Sequence, residues 1–423
     1  MSYAATAIGR IVAARAALWV LAATTIANVF AYGYQVVTAR LLRPDDYAIL
    51  TALFGILILE SLSAQVIQSA TARLVAQYNA RGDEAALHVF VRRWTRRILI
   101  GAGLPALAVV AASPVIGPIL ALPVAAVALL GIALFVAAPL TFTGGLLQGL
   151  AYFGWFGWYF IVQALARLAI GIGLVALGFG VTGAFVGAVA ALAAGLALSL
   201  IPLAPLFRAA RGAVHPVALG AAESRFFLLA SVIMLAYAAL TNIDAVASRA
   251  LLPAVDAGAY AGAITMAKVV LFAPIAVGFI LLERTARAHA KGEDTDTPLF
   301  VALAFVLATS GLVTLAYLAA PAFFTHLVLG DQYPLTAALV GPYAVAALLN
   351  ALLSLWIAHF IGRGEMRFGL LLAVGVAGEI GLILVAGRDA AALVRIVLGV
   401  AVGTQAAAVA TYAWERSRRR RPA

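Results

Sequence analysis

The sequence predicts an all-α integral membrane protein of about 12 transmembrane helices, arranged as two parallel repeats of six. Three observations predict this fold: an apolar composition, a series of hydrophobic stretches long enough to cross a bilayer, and short motifs that recur about 210 residues apart. Apolar residues make up 65% of the 423 residues and charged residues only 11%. Since a soluble globular domain carries roughly 25% charged residues, the expected solvent of this chain is lipid.

Apolar stretches of roughly 20 residues, separated by charged residues or Gly and Pro, define the predicted spans. The first stretch runs from Arg15 to about Val37. It exceeds the roughly 7 to 15 residues of a signal-peptide core, so a span is expected there. The predicted spans lie near 13–38, 47–72, 98–116, 121–147, 156–178, 183–206, 224–246, 258–283, 299–325, 335–360, 367–387 and 391–414.

Four short motifs recur in the same order in the two halves of the chain, which indicates duplication of a six-helix unit. Because six is even, both halves enter the membrane from the same side, so bundles 1–210 and 211–423 are predicted to be parallel repeats. The first two pairs, 210 residues apart, are Arg81-Gly82-Asp83-Glu84 with Lys291-Gly292-Glu293-Asp294 and Leu41-Leu42 with Leu251-Leu252. The others, at offsets of 213 to 215, are Thr71-Ala72-Arg73 with Thr285-Ala286-Arg287 and Gly149 then Phe153 with Gly362 then Phe368.

Lys and Arg are distributed unevenly between the two predicted membrane faces. Of the 28, 21 lie on the side of both termini, five lie on the other side, and Arg167 and Lys268 lie inside spans. The positive-inside rule therefore predicts cytoplasmic termini. Most of the net charge of +11 is a topology signal, and nucleic acid is not an expected partner. The arginines at 418–421 either flank the last span or contact anionic lipid.

Several classes of function are disfavoured by residues that the chain lacks. Cysteine is absent, and the five histidines show no metal-ligand spacing. There is no Gly-x-x-x-x-Gly-Lys phosphate loop. No external loop exceeds about a dozen residues, which counts against a membrane glycosyltransferase or polymerase. We therefore expect a protein that is not an enzyme and that holds no cofactor or metal.

Ionisable residues inside the predicted spans are the main candidates for function, because each costs about 2.5 to 3.5 kcal/mol at a helix centre on insertion scales. Lys268 and Arg167 lie near the predicted midplane, where each would bind an anionic substrate or complete a buried ion pair. Glu379 occupies nearly the place of Arg167 in the second repeat, so one alternative is an ion pair between them. The complete set is Glu60, Arg73, Arg167, Asp244, Lys268 and Glu379.

The second predicted helix is the most polar, and the seventh carries an acid. The polar face of the second helix either lines a wet cavity or packs against other helices through hydrogen bonds. Asp244, near the outer end of the seventh helix, has three readings: a proton or Na⁺ site, a partner of Lys268, or a partner of Arg249. The polar rows of the second helix are Ser61, Gln65, Ser69 and Arg73, and beside them Glu60, Ala64 and Gln68.

Four further motifs are spread over nearly the whole chain. They are a Leu-Leu-x-Pro-x-x-Tyr turn within 38–47, Leu-Gln-Gly-Leu-x-x-Phe within 145–153, Gly-Phe-Gly-Val-Thr-Gly-Ala at 178–184, and Asn242-Ile243-Asp244 followed by Leu251-Leu252 and Ala-Gly-Ala-Tyr at 257–260. As a set they resemble the polysaccharide transporter family of oligosaccharide flippases. The resemblance implies membership of the multidrug/oligosaccharidyl-lipid/polysaccharide exporter superfamily, with a V-shaped pair of six-helix bundles and a cavity that opens to each side alternately.

The resemblance also implies a substrate class. A polyprenyl-diphosphate-linked oligosaccharide would move from the cytoplasmic to the outer leaflet of a bacterial plasma membrane, for surface polysaccharide synthesis. Membrane lipids, glycosyltransferases and a glycan polymerase are the expected partners of a monomeric chain. The chain lacks the terminal helix pair of the fourteen-helix lipid II flippases, which argues against that role.

The candidate residues suit a lipid-linked sugar, with alternatives left open. The diphosphate would need cations, which Lys268, Arg73 and Arg167 could supply. Sugar hydroxyls would suit Gln65, Gln68 and Asn242. Asp244, Glu60 and Glu379 are expected to couple ions or form ion pairs, and transport is coupled to H⁺, to Na⁺ or to consumption of the product. The alternative function is a cation-coupled drug or metabolite antiporter of the same superfamily, with an acidic, aromatic cavity.

Overall fold

The protein is almost entirely helical over the residues that the computed structural model describes, which are 2–210, 221–365 and 368–419. These ranges contain no strand. The start of the predicted second bundle at residue 211 lies outside them, as do four arginines that the topology prediction counts, Arg211, Arg367, Arg420 and Arg421.

Sixteen α-helices follow one another along the described chain. A π-helical turn occurs on each side of α7, at Arg167–Gly171 and Val175–Phe179, and a 3₁₀ turn at Lys268–Leu271 separates α10 from α11. The helices are α1 Ser2–Leu41, α2 Pro44–Arg81, α3 Glu84–Ala111, α4 Ser113–Ile119, α5 Val124–Gly149, α6 Phe153–Ala166, α7 Ile172–Leu174, α8 Gly180–Ala210, α9 Ala221–Leu251, α10 Ala254–Ala267, α11 Phe272–Lys291, α12 Asp296–Ala319, α13 Pro321–Leu329, α14 Thr336–Gly362, α15 Phe368–Ala386 and α16 Ala390–Arg419.

The described helices include 11 segments that are long and apolar enough to cross a membrane. One of them, Phe153–Ala210, contains two predicted spans. A turn separates these two spans, since Gly178 and Gly180 have φ angles of 90° and 53°. The 11 segments thus accommodate the 12 predicted spans, and the predicted all-α membrane fold is confirmed.

The described residues fall into two compact units. Unit 1 lies within Met1–Leu42 and Glu60–Phe227, and unit 2 lies within Arg43–Leu59 and Leu228–Ala423. Helix α2 therefore begins in unit 2 and ends in unit 1. Residues 44–59, which the sequence prediction placed in the first bundle, pack with the second half of the chain.

In unit 1, α2 packs against α5 at very short range. A Cβ atom added at Gly149 would lie 2.7 Å from the Ala72 carbonyl oxygen, and one at Gly145 would lie 2.7 Å from the Thr71 Cβ. Such contacts let two membrane helices gain dispersion energy along their backbones. The surrounding core includes Leu74, Val75, Leu87, Phe90, Phe142, Leu146, Phe156 and Leu203.

The contact between α11 and α14 in unit 2 repeats that arrangement. A Cβ atom at Gly362 would lie 3.0 Å from the Thr285 Cβ and 3.1 Å from the Leu282 carbonyl oxygen. Gly362 is the motif partner of Gly149, whose added Cβ would meet the Ala72 carbonyl oxygen and the Val75 Cβ, each at 2.7 Å. The close contact of Gly149 is thus repeated at Gly362, with Thr285 in the place of Val75, whereas Thr71 meets Gly145 in unit 1.

The turns after α2 and α11 also match. Gly82 and Gly292 both adopt left-handed conformations, with φ angles of 66° and 70°. In each turn the following amide closes the helix, from Asp83 to the Tyr78 carbonyl at 3.1 Å and from Glu293 to the Ala288 carbonyl at 2.9 Å. This is the Schellman geometry, which glycine adopts without the steric penalty of a Cβ.

Helix α10 lies at the centre of unit 2. Every residue from Ala257 to Ala267 is buried. Its many small residues allow neighbours to approach on all sides: a Cβ at Gly258 would lie 2.6 Å from the Pro44 Cβ, and one at Gly262 would lie 2.8 Å from the Thr336 Oγ1. Polar groups on α10 and its neighbours are consequently shielded from solvent.

Candidate functional site

A break in the eighth predicted span separates α10 from α11 and begins at Lys268. Pro274 has no amide hydrogen, so it cannot bond to the Val270 carbonyl four residues earlier. The hydroxyl of Ser310 on α12 donates to that carbonyl instead, at 2.7 Å. The Tyr317 hydroxyl donates to the Met266 carbonyl at 3.2 Å. Two hydroxyl groups of α12 thus stabilise a 3₁₀ turn within the membrane, with half-buried Lys268 as its first residue.

Asp244 of α9 is held by two tyrosines. Its side chain is 1% exposed. Its Oδ2 accepts hydrogen bonds from the hydroxyls of Tyr260 on α10 at 2.7 Å and Tyr343 on α14 at 2.6 Å. The two rings meet edge to face, with centroids 5.4 Å apart. In the described part of the chain, Asp244 forms no ion pair with Lys268 or Arg249, so these two readings of the acid are wrong.

Glu379 of α15 lies at the level of Asp244. Helices α15 and α9 run side by side: a Cβ at Gly369 would lie 2.7 Å from the Ile233 Cγ1, and one at Gly375 would lie 3.5 Å from the Leu240 Cδ1. One further turn places Glu379 near Asp244, and the two carboxyls are within electrostatic reach.

Glu379 is also buried, with 1% of its surface exposed. Neither of its carboxyl oxygens has a hydrogen-bond partner among the described residues. The alternative of an ion pair with Arg167, a residue of unit 1, stays a prediction. Asp244, Glu379, Tyr260 and Tyr343 are called the buried acid cluster below.

The buried acid cluster holds two carboxyl groups in apolar surroundings without a basic partner among the described residues. Burial of an ionised carboxylate without a countercharge is very costly, and two neighbouring carboxylates repel each other. The cluster therefore requires a proton or a small cation for neutrality. Chemically, it can bind and release either one.

The equivalent region of unit 1 contains a cation. Arg167 is the first residue of a π-helical turn and lies near Tyr34 of α1. The Tyr34 hydroxyl donates to the Ala184 carbonyl at 2.8 Å, and a Cβ at Gly171 would lie 2.7 Å from the Tyr34 Cε2. π-Helical turns inside α-helices occur frequently at functional sites.

The two polar rows of α2 have different environments. The row Ser61, Gln65, Ser69 and Arg73 is exposed. The row with Glu60 and Gln68 turns toward the interior of unit 1: a Cβ at Gly144 would lie 3.5 Å from the Gln68 Cδ, and Glu60 is half-buried near Tyr159 of α6. One row thus packs against other helices, and the other lies on the surface of the described residues.

Asn242, which the sequence analysis assigned to sugar hydroxyls, uses its side-chain amide within its own helix. It donates to the Ala238 carbonyl at 3.0 Å and to the Thr241 Oγ1 at 2.9 Å. The structure brings Asp244 and Glu379 together but adds Tyr260 and Tyr343, which sequence reasoning missed. A signal for both tyrosines existed, since a tyrosine in an apolar span needs a hydrogen-bond partner.

The architecture is similar to that of several solved transporters. The described fold matches the inward-facing conformation of a multidrug resistance MATE family transporter of the MOP superfamily, with a TM-score of 0.62 and 17% identity over 93% of this chain and 94% of that one. It also matches the lipid II flippase MurJ in an inward closed conformation, with a TM-score of 0.61 and 11% identity over 92% and 87% of the two chains.

A third match is the eukaryotic MATE transporter AtDTX14, with a TM-score of 0.57 and 14% identity over 93% of this chain and 96% of that one. The chain has the fold of these membrane transporters. No protein-family model and no curated protein matches the sequence.

Proposed function

We propose that this protein is an ion-coupled transporter that flips a polyprenyl-diphosphate-linked oligosaccharide from the cytoplasmic to the outer leaflet of a bacterial plasma membrane. The observation that carries the proposal is the buried acid cluster, in which Asp244 and Glu379 lie buried without a basic partner among the described residues. Such a pair is costly to maintain, and proton or cation exchange is a function that requires it.

The positions of three basic residues support an anionic substrate. Lys268 and Arg167 each begin a turn that departs from α-helical geometry, and Arg73 ends the exposed polar row of α2. Guanidinium and ammonium groups form strong, charge-assisted hydrogen bonds with phosphate oxygens. The exposed row of Ser, Gln and Arg on α2 offers hydroxyl, amide and guanidinium groups that suit a polar ligand, since lipid chains offer no hydrogen bonds.

Helix α10 provides a physical link between the ion and the substrate groups. Tyr260, which donates to Asp244, precedes Lys268 by eight residues, or about 12 Å along the helix axis. Arrival of a proton at the cluster removes the repulsion between its two carboxyls. Because Tyr260 donates to Asp244, we expect a change in the position of this carboxyl to move Tyr260 and with it α10. Movement of α10 would change the position of Lys268, which follows α10 directly in the 3₁₀ turn.

A second candidate is a cation-coupled antiporter of drugs or metabolites. The specific observation in its favour is the chemistry of the buried acid cluster, because two carboxyls beside two tyrosine rings suit an organic cation. In this alternative the cluster binds the substrate itself, and Lys268 and Arg73 have no part in its binding.

Reconstitution distinguishes the two functions. Purified protein in liposomes with a fluorescent polyprenyl-diphosphate saccharide is expected to move the label between leaflets, faster under an imposed proton or sodium gradient. Lys268→Ala and Arg73→Ala should each raise the substrate concentration for half-maximal rate about tenfold or more, as expected for loss of a charge-assisted hydrogen bond.

The matched control is Lys291→Ala, whose side chain is 60% exposed, and which should behave like the parent protein. Gradient-driven uptake of an organic cation dye without movement of the lipid would support the antiporter and contradict the flippase. Parent-like lipid transport in both cation variants would remove the proposed role of Lys268 and Arg73.

A further inference from the structure

Four arginines form a dense basic patch on α3. They are Arg92, Arg93, Arg96 and Arg97, and all four are exposed. Because residues four apart lie on the same side of a helix, they make two adjacent rows, 92 with 96 and 93 with 97. The patch thus presents four guanidinium groups within about one and a half helical turns.

An apolar stripe follows the patch toward the C-terminal end of the same helix, within the predicted span. It consists of Ile100, Leu104 and Leu107, with exposed fractions of 51%, 67% and 66%. Their spacing of three to four residues keeps them on one side of α3. Exposed leucine and isoleucine in a predicted span face acyl chains.

The opposite side of α3 packs against the hydrophobic core of unit 1 and so fixes the position of the patch. Leu87, Phe90 and Val91 are buried in the core of unit 1. Trp94 is half-buried, and the Arg97 guanidinium lies 5.5 Å from the centroid of its ring. A tryptophan beside an arginine at the end of an apolar stripe is typical of the head-group level of a membrane.

The corresponding helix in the second half of the chain has no such patch. Helix α12 is the repeat partner of α3, and its residues at offsets of 210 to 212 from the patch fall within 302–309. That segment, Ala-Leu-Ala-Phe-Val-Leu-Ala-Thr, has no charged residue. The arginine patch is thus a feature of α3 that the corresponding helix of the second half does not share.

We infer that this side of α3 binds an anionic phospholipid of the surrounding leaflet, with its phosphate on the arginine rows and its acyl chains along the Ile100, Leu104 and Leu107 stripe. Arginine suits this ligand because its planar donors match phosphate oxygens in pairs. A single ligand that is charged at one end and apolar at the other fits both parts of the surface. The inference does not depend on the proposed substrate.

Lipid binding by the purified full-length protein tests the inference. Native mass spectrometry with added phosphatidylglycerol, and with phosphatidylcholine as the uncharged comparison, measures retention of single lipids. Arg93→Gln/Arg97→Gln should weaken phosphatidylglycerol binding about thirtyfold, at about 1 kcal/mol per arginine near a membrane surface, and leave phosphatidylcholine unchanged. The matched control Arg284→Gln/Arg287→Gln removes two exposed arginines from α11 and should bind like the parent protein.

Three outcomes would overturn the inference. Equal loss in both double variants would show that binding follows diffuse positive charge. Parent-like binding by Arg93→Gln/Arg97→Gln would show that the patch has no lipid role. Displacement of the lipid by inorganic phosphate would assign the patch to a free anion, because a phosphate lacks the acyl chains that the stripe accommodates. None of these results depends on flipping, so the proposed function is tested separately.

Discussion

The two halves of the chain place opposite charges at corresponding positions, a half-buried arginine in unit 1 and a buried glutamate in unit 2. Tyr34 and Arg167 lie close together in unit 1. Asp244 and Glu379, which follow them by 210 and 212 residues, lie close together in unit 2. Duplication preserved the helical frame while the side chains diverged. The comparison indicates that a frame built by small-residue contacts tolerates either sign of charge.

A second pair of regions differs in continuity. Helix α2 is unbroken from Pro44 to Arg81, whereas its repeat partner is divided into α10 and α11. Pro274 follows Ala64 by 210 residues, so the unbroken helix has an alanine where the divided one has a proline. Alanine donates the amide hydrogen that proline lacks, which accounts for the difference.

The largest expected effect comes from removal of the acids of unit 2. Glu379→Gln and Asp244→Asn should each lower gradient-driven transport about 100-fold, or about 2.7 kcal/mol, because neither amide exchanges a proton. Initial rates in proteoliposomes with and without a gradient provide the measurement. Asp331→Asn serves as the control, since that carboxylate is 91% exposed.

Glu379→Met separates function from stability. Replacement of a buried carboxyl that lacks hydrogen-bond partners by an apolar side chain should stabilise the protein by about 1 to 3 kcal/mol, visible as a higher thermal unfolding midpoint. Transport should be lost in the same variant. A destabilised Glu379→Met protein would mean that the acid serves packing, and the contrast with unit 1 would lose its functional meaning.

An intermediate effect is expected at the helix break. Ser310→Ala leaves the Val270 carbonyl buried without its hydroxyl donor, which should lower the free energy of unfolding by about 1 to 3 kcal/mol. Thr309→Ala is the matched control, because the hydroxyl of half-buried Thr309 bonds only within its own helix, to the Phe305 and Val306 carbonyls. Thermal unfolding in detergent compares the two, and equal midpoints would contradict a structural role for Ser310.

The smallest expected effect concerns the turns after α5 and α14. Both contain a left-handed residue, Ala151 with a φ of 60° in unit 1 and Gly364 with a φ of 76° in unit 2. Ala151→Gly should stabilise the protein by about 1 kcal/mol, and Gly364→Ala should destabilise it by a similar amount. Opposite shifts of the unfolding midpoint would support the equivalence of the two turns, whereas shifts of the same sign would show that they are not equivalent.

Much of the fold was accessible from residue patterns. Apolar length located the spans, and the recurring motifs anticipated matched contacts, such as those of Gly149 and Gly362. The buried acid cluster was accessible only in part. Asp244 and Glu379 are recognisable as acids in apolar spans, but the tyrosine hydroxyls that Asp244 accepts from lie on α10 and α14, 16 and 99 residues away. No local pattern connects such distant positions.

Amino-acid order alone specifies a duplicated, lipid-embedded helical chain, because bilayer thickness and helix rise turn hydrophobic length directly into spans. The partners of the buried charges depend on helix packing. Asp244 accepts hydrogen bonds from two tyrosines and does not pair with Arg249, and residues 44–59 pack within unit 2. These outcomes arise from close contacts between helices far apart in sequence, where the space left by small residues such as Gly258 selects which side chains meet.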